Sequence, residues 1–158
     1  MESMDRERFE NWAESSGWSI LRETDIVDMS IFSDRYSNIP EEWISFISQY
    51  KDIVNATEDT WFVTYSSDEA GDFSHDEFEK MSIEIAEDDV EWQSEIKEFW
   101  DNHFVIVMSV GNGYTYYAID LTTYEIVCGC EPEFEEVEVV ASSFSEFIDK
   151  VITGEIKI

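Results

Sequence analysis

The chain has 158 residues and carries 38 aspartates and glutamates against 9 lysines and arginines, which gives a formal net charge of −29. Because lysine and arginine supply the phosphate contacts on which nucleic-acid affinity depends, this charge disfavours direct nucleic-acid binding. An apolar content of 43% with 15% aromatic residues excludes a disordered chain, whose hydrophobicity is low, and favours a single folded domain over residues 1–158.

Two amphipathic helices are predicted in the first fifty residues. The first spans residues 4–16, where Phe9 and Trp12 follow helical spacing and Gly17 is placed to end the helix. The second begins after Pro40, because proline and acidic residues are favoured in a first helical turn. Its apolar stripe indicates a helix that packs on a sheet, and it contains Trp43, Ile44, Phe46, Ile47 and Tyr50.

A predicted strand at residues 61–65, which are β-branched and aromatic, is followed by a strongly acidic segment at 66–101. This segment has fourteen acidic side chains against Lys80 and Lys97, a local charge of −12. We expect an acidic loop and then an acidic-faced helix that is capped near Asp88–Asp89. Aromatic residues at helical spacing usually belong to a core, and here the apolar stripe contains Trp92, Ile96, Phe99 and Trp100.

The last third of the chain predicts an antiparallel meander that is closed by a helix. Apolar runs indicate strands at 104–110, 114–121, 125–130 and 136–141. The first two are expected to form a hairpin whose Asn112–Gly113 turn is of type I′, since both residues tolerate positive φ. Ser143 and Glu146 have the spacing of a capping box, which starts a helix that runs to Gly154.

No catalytic residue, metal site or cofactor is predicted. With 38 acids, carboxylate pairs occur at any spacing that a hydrolase would need, so no catalytic pair stands out. Cys128 and Cys130 lie two positions apart on a predicted strand, whereas a closed zinc site needs about four ligands. His75 and His103 have no ligand spacing to this pair, so two buried thiols are the favoured interpretation. We expect no enzyme, and a carboxylate hydrolase is kept as the third hypothesis.

The location of the protein is predicted from two absences in the sequence. The N-terminal residues contain neither a basic lead nor an apolar run, so no secretory signal is expected. No stretch approaches the ~20 apolar residues of a membrane span. We therefore expect a cytoplasmic protein with no membrane partner.

The charge predicts a basic protein partner. An acidic surface attracts a cationic protein and resembles nucleic acid to it, which suits an inhibitor of a cationic enzyme. Acids are densest at 68–101 and 131–138, whereas general solvation or adaptation to high salt, the open alternative, does not require such clusters. The expected contact residues are Asp68, Glu69, Asp72, Asp76, Glu77, Glu87, Asp88, Asp89 and Glu91.

Three segments, in matching order, resemble the SUKH superfamily of Smi/Knr-type proteins. Residues 39–50, IPEEWISFISQY, are similar to the helix of that family that has a proline, acids and aromatics. Residues 111–121, GNGYTYYAIDL, resemble its glycine-rich turn and the strand that follows. Residues 140–148, VASSFSEFI, are similar to its closing helix. The resemblance spans residues 39–154.

The resemblance implies an α+β domain with a mixed, mostly antiparallel sheet and flanking helices, the SUKH (Smi/Knr-like) fold. It also implies a role, because bacterial members are immunity proteins that bind and neutralise a cognate toxin, often a nuclease, while eukaryotic members are tied to cell-wall regulation. No catalytic residues come with the family. The leading hypothesis is therefore a bacterial, non-enzymatic immunity protein, an antitoxin with a cognate toxin as partner. The alternative is a regulatory or scaffold protein-interaction module with no toxin partner.

Overall fold

The computed structural model describes residues 3–69 and 73–158, with side chains from residue 6 onward. Its helices are α1 (Ser3–Ser15), α2 (Ser30–Ser33), α3 (Glu41–Ile47), α4 (Tyr65–Glu69), α5 (Glu77–Ala86), α6 (Val90–Asp101) and α7 (Phe144–Thr153). Its strands are β1 (Ser19–Arg22), β2 (Tyr50–Val54), β3 (Thr60–Phe62), β4 (His103–Ser109), β5 (Thr115–Asp120), β6 (Ile126–Cys130) and β7 (Glu138–Ala141). Among the described residues, no helix is both long and apolar enough to cross a bilayer.

The strands form one sheet in sequence order, in which each strand from β1 to β7 is paired with the next. Every pairing between the named strands is antiparallel. The α+β class with flanking helices is therefore confirmed, whereas the expected mixed component of the sheet is not found in the described part of the chain. This order puts β4 at the centre of the sheet and β1 and β7 at its edges.

Aromatic side chains hold α1 and α3 against the sheet. The ring of Phe9 in α1 lies 5.5 Å from that of Phe62 in β3 and 5.0 Å from that of Phe46 in α3, measured between centroids. Trp43 of α3 packs edge-on against Phe104 of β4 at 4.8 Å. All five side chains are fully buried, and each burial contributes roughly 1.5–3 kcal/mol to folding.

The local signals at both ends of the chain, and the four C-terminal strands, are confirmed. Gly17 follows α1 with a φ of 80°, and Gly154 ends α7 with a φ of 82°. The hydroxyl of Ser143 accepts the N–H of Glu146 at 3.1 Å and so caps α7. The carboxylate of Glu146 accepts the N–H of Ser142 at 3.1 Å instead of that of Ser143, so the capping box is shifted by one residue.

Three expectations in the first two thirds of the chain are wrong in part. The helix after Pro40 ends at Ile47, and Tyr50 begins β2 instead of extending the helical stripe. The strand predicted at 61–65 ends at Phe62, because the hydroxyl of Thr64 accepts the N–H of Ser67 at 3.1 Å and so starts α4. The predicted acidic loop contains α4 and α5, in which Glu69 and Glu84 are exposed while Asp68 and Glu79 are buried.

The β4–β5 hairpin is confirmed, but its turn is not of type I′. Residues 110–114 separate the paired strand ends, and Gly113 has a φ of 80° while Asn112 does not have a positive φ. The side chain of Asp59, from the loop between β2 and β3, occupies the space where a Cβ of Gly111 would stand. A contact between distant parts of the chain therefore sets the shape of this turn.

Candidate protein-interaction surface

Helices α5 and α6 form a helical hairpin, residues 77–101, which we call the acidic hairpin. Its first helix stops at Ala86, where Glu87 takes a positive φ of 49° and the N–H of Asp89 donates to the Ala86 carbonyl at 3.0 Å. The Asp89 carboxylate accepts the N–H of Trp92 at 3.0 Å, which caps α6. The predicted cap is therefore confirmed at Asp89.

A carboxylate from the loop before β7 attaches the acidic hairpin to the sheet. The Oε2 atom of Glu135 accepts a hydrogen bond of 2.8 Å from the Ser82 hydroxyl of α5. The same oxygen accepts the indole N–H of Trp100 in α6 at 3.0 Å. The Trp100 ring packs on Tyr116 of β5 at 5.0 Å between centroids. Both helices are thereby held to the central strands, which leaves their opposite faces to solvent.

An arginine that follows α2 makes the second attachment of the acidic hairpin. Two guanidinium nitrogens of Arg35 donate to the two oxygens of Glu79 in α5 at 2.7 and 2.9 Å. The same guanidinium donates to Asp101 of α6 at 2.8 Å. The hydrogen bonds that Arg35 donates to Glu79 raise the pKa of Arg35 above its ordinary value, and the Glu79 side chain is only 8% exposed. Some acids of the segment are therefore neutralised inside the fold.

The predicted contact residues fall into groups with different exposure. We call the junction between α5 and α6 the hairpin turn. The exposed members there are Glu87, Asp88, Asp89 and Glu91. Glu69, at the end of α4, is also exposed. Asp76 and Glu77 are half-buried at the start of α5, and their carboxylates lie 3.4 and 3.9 Å from the Lys80 ammonium. Asp72 lies outside the described residues. The hairpin turn thus presents the densest exposed part of the predicted surface.

Asp68 is a correction to that prediction, because its side chain faces the interior and is 7% exposed. One carboxylate oxygen accepts the backbone N–H of His75 at 2.6 Å, and the other lies 3.0 Å from His75 Nδ1. The imidazole ring packs against Phe32 and Phe104 at 5.6 and 5.8 Å between centroids. Asp68 therefore ties the start of α5 to α4, and we leave it out of the contact surface.

Three exposed apolar side chains at the hairpin turn were not expected from the sequence. Ile85, Val90 and Trp92 are 60%, 76% and 43% exposed. Trp92 belongs to the predicted stripe, of which Ile96 and Trp100 are buried at 2% each. Trp92 lies in the first turn of α6, about two turns from Trp100, and so beyond the part of the helix that packs on β5. Spacing alone does not show where along a helix its contact with the sheet ends.

The expectation of two buried thiols is wrong, because neither thiol is fully buried. Cys130 is exposed and Cys128 is half-buried. Gly129 lies between them against the Tyr116 ring, which leaves no room for a Cβ. Burial raises the pKa of Cys128 to about 11. No group of three or more histidine, cysteine or acidic side chains that could hold a metal occurs in the described parts of the chain.

An open concavity of about 650 Å³ lies over β1, β2 and β3, and none of its lining residues belongs to the acidic hairpin. Trp61, Asp52 and Glu58 contribute to its lining, which contains no histidine and no cysteine. A hydrogen bond with the Glu133 carboxylate raises the pKa of Glu136, but both of these side chains are exposed and neither lines the concavity. In the described residues, this is the one pair of acids in which a carboxyl pKa is raised. Because the pair is exposed, it lacks the enclosed site in which acid–base catalysis takes place.

The fold and the surface define an α+β domain with a seven-stranded antiparallel meander, flanking helices and an acidic helical hairpin. The model of the SMI1 / KNR4 family (SUKH-1) matches residues 34–150, and the chain belongs to this family. No curated protein and no solved structure matches the chain significantly.

Proposed function

We propose that this protein is an immunity protein that binds a cognate toxin with a basic surface, such as a nuclease, and neutralises it without catalysing a reaction. Membership of the SMI1 / KNR4 family (SUKH-1) supports the proposal. The resemblance to Smi/Knr-type proteins implies an immunity role, because bacterial members of that group are immunity proteins. The observation that carries the proposal is the joint exposure of Glu87, Asp88, Asp89 and Glu91 at one helical turn.

The uncompensated charge at this turn favours a cationic partner. No lysine or arginine occurs between residues 84 and 95, and the nearby Lys80 is engaged by Asp76 and Glu77. Such a surface steers a basic protein into contact, with on-rates of up to ~10⁸–10⁹ M⁻¹s⁻¹ at low salt. A nuclease needs a cationic surface to bind phosphate, so a protein that covers this surface stops the reaction.

Co-expression tests this function. The probe is the protein encoded by the gene next to that of this chain, produced in a host with and without the chain. We expect the neighbouring protein alone to arrest growth, co-expression to restore growth, and the two purified proteins to form a complex. Absence of both the complex and the protection would overturn the proposal. A complex with a neighbour that is harmless on its own would favour the regulatory or scaffold alternative.

The contribution of the hairpin turn is tested with a variant that removes its charge. In the turn variant, Glu87→Gln, Asp88→Asn, Asp89→Asn and Glu91→Gln are combined, and asparagine at position 89 keeps the helix cap. The control variant changes the net charge equally at exposed positions outside the hairpin, namely Glu14→Gln, Asp25→Asn, Glu133→Gln and Glu155→Gln. We expect protection to weaken with the turn variant only. Equal effects of the two variants would show that the turn is not the contact.

A further inference from the structure

The hairpin turn carries an apolar patch as well as charge. Nine large apolar side chains are exposed in the described parts of the chain, and three of them, Ile85, Val90 and Trp92, lie within eight consecutive positions. Trp92 is also the tryptophan that is most open to solvent, since Trp18, Trp43 and Trp100 are buried and the other two are half-buried. Exposed apolar residues that are grouped in this way mark an interaction site more often than scattered ones do.

Exposed carboxylates share residues 84–95 with this apolar patch. The exposed acids of residues 84–95 are Glu84, Glu87, Asp88, Asp89, Glu91 and Glu95. An apolar centre with a charged rim is the usual anatomy of a protein interface, and tryptophan is enriched among the residues that carry most of the binding energy. The patch therefore has the composition of a contact surface and not only that of a solvated helix end.

The patch is also held in one conformation before any partner binds. The backbone of the turn is closed by hydrogen bonds from the N–H groups of Glu87 and Asp89 to the carbonyls of Glu84 and Ala86 at 3.2 and 3.0 Å. The side-chain amide of Gln93 donates to the Glu87 carbonyl, which links α6 back to the turn. Because this backbone is already ordered, binding through it loses little conformational entropy.

We propose that Trp92, with Ile85 and Val90, is the apolar anchor by which the acidic hairpin docks into an apolar hollow rimmed by lysine and arginine on a basic protein. This inference rests on the proposed function, since the basic protein is the cognate toxin. Charge complementarity selects this occupant. Two copies of this chain would bring equal carboxylate rims together, and an anionic membrane or a nucleic acid would be repelled in the same way.

The two parts of the surface act on different rate constants. Carboxylates at the rim act at long range and set the association rate, which falls as salt screens them. The indole and its apolar neighbours act only in contact, so they set the dissociation rate. Trp92→Ala should therefore raise the dissociation rate at least about tenfold and leave the association rate nearly unchanged. The turn variant described above should lower the association rate and its dependence on salt.

Stopped-flow or surface-plasmon-resonance measurements test this division with the protein encoded by the adjacent gene as the probe. Tyr124→Ala is the matched control, because Tyr124 is an aromatic residue of similar exposure, 46%, outside the hairpin. Trp92→Phe, which keeps an aromatic ring, should recover part of the lost residence time. Far-ultraviolet circular dichroism confirms that each variant is folded, which is expected because the indole is exposed.

The outcomes separate the inference from the function on which it rests. If the unaltered chain does not bind the neighbouring protein, the proposed function fails and the anchor falls with it. If the unaltered chain binds and Trp92→Ala, Ile85→Ala and Val90→Ala all keep its dissociation rate within about twofold, the anchor is overturned and the function stands. If the chain alone is a dimer in analytical ultracentrifugation and Trp92→Ala makes it a monomer, the patch is a self-association surface and the anchor is likewise overturned.

Discussion

The indole N–H of Trp100 in α6 donates to the Glu135 carboxylate at 3.0 Å, and the same oxygen accepts the hydroxyl of Ser82 in α5 at 2.8 Å. One side chain outside the acidic hairpin thus bonds both of its helices. Because Trp100 is only 2% exposed, its N–H has no solvent alternative when this acceptor is removed.

Glu135→Ala is expected to lower the free energy of unfolding by about 1–3 kcal/mol, the cost of leaving a buried donor without an acceptor. Glu135→Gln keeps an acceptor oxygen and should cost less. Urea titration followed by circular dichroism measures both changes. The control is Glu133→Ala on the same loop, where an exposed side chain should change stability by less than about 0.5 kcal/mol. A similar loss in the control would show that Glu135 has no special role.

Arg35→Ala is expected to destabilise the fold by about 2 kcal/mol, because it leaves the buried carboxylate of Glu79 unpaired. This loss of stability is smaller than that expected for a fully buried ion pair, because the Arg35 side chain is 28% exposed and water screens the interaction. Arg35→Lys should also weaken the fold, since an ammonium cannot donate to both Glu79 oxygens in parallel.

The surface ion pair between Arg8 and Asp149, at 3.1 Å, provides the comparison for Arg35. Both of its side chains are about half exposed, so Arg8→Ala should cost less than about 1 kcal/mol. Denaturant unfolding measures the stability of Arg35→Ala, of Glu79→Gln and of the double variant that combines them. The double variant should lose less stability than the sum of the singles, and simple additivity would contradict a direct pair.

The stability that Glu146 contributes should depend on pH. Hydrogen bonds from the backbone N–H and the hydroxyl of Ser142, helped by Lys150, hold the pKa of Glu146 below its ordinary value of 4.5. A carboxylate with a lowered pKa in the folded state stabilises the fold above its unfolded pKa, and this stabilisation is lost as pH falls through the folded value. Glu146→Gln should therefore lower the free energy of unfolding near neutral pH, and this loss should shrink as pH falls through the lowered folded pKa.

Urea titrations at about pH 7 and about pH 3.5 check this dependence on the unaltered chain and on Glu146→Gln. Glu95→Gln is the control, because it removes the same charge from an exposed position in α6. The difference in free energy of unfolding between the unaltered chain and Glu146→Gln should shrink at the lower pH. The difference between the unaltered chain and Glu95→Gln should shrink less. A difference that is constant over both pH values would contradict the assignment.

Cys130 is expected to react with thiol reagents much faster than Cys128. Cys130 is exposed, whereas burial raises the pKa of the half-buried Cys128 to about 11. At pH 8 only about one part in a thousand of Cys128 is then the reactive thiolate. Iodoacetamide labelling followed by peptide mass spectrometry should find Cys130 modified first. Cys130→Ser should abolish the fast phase and Cys128→Ser should keep it, and the reverse pattern would contradict the assignment.

Elements with strong local signals were predictable from the sequence. The C-terminal strands follow from their apolar runs, and α7 follows from the capping residue Ser143 and from Gly154. The family is also visible in the order of three short segments, in agreement with the model that matches residues 34–150. The prediction fails between residues 65 and 86, because acids such as Asp68 and Glu79 stand at buried helix positions beside a few apolar residues such as Phe78, so the apolar residues alone do not show a helical spacing.

By itself, the sequence determined the family, the antiparallel C-terminal half and the excess of acid, because these depend on composition and on neighbours along the chain. Only the tertiary structure decided which acids can meet a partner. Contacts with His75 and Arg35 bury Asp68 and Glu79, while the acids of the hairpin turn stay exposed. It also decided that Trp92 is exposed. Trp92 lies in the first turn of α6, whereas the ring contact of α6 with β5 is made by Trp100, about two turns further along the helix. Exposure is a property of the distant residues that cover a side chain, and spacing along the chain does not record it.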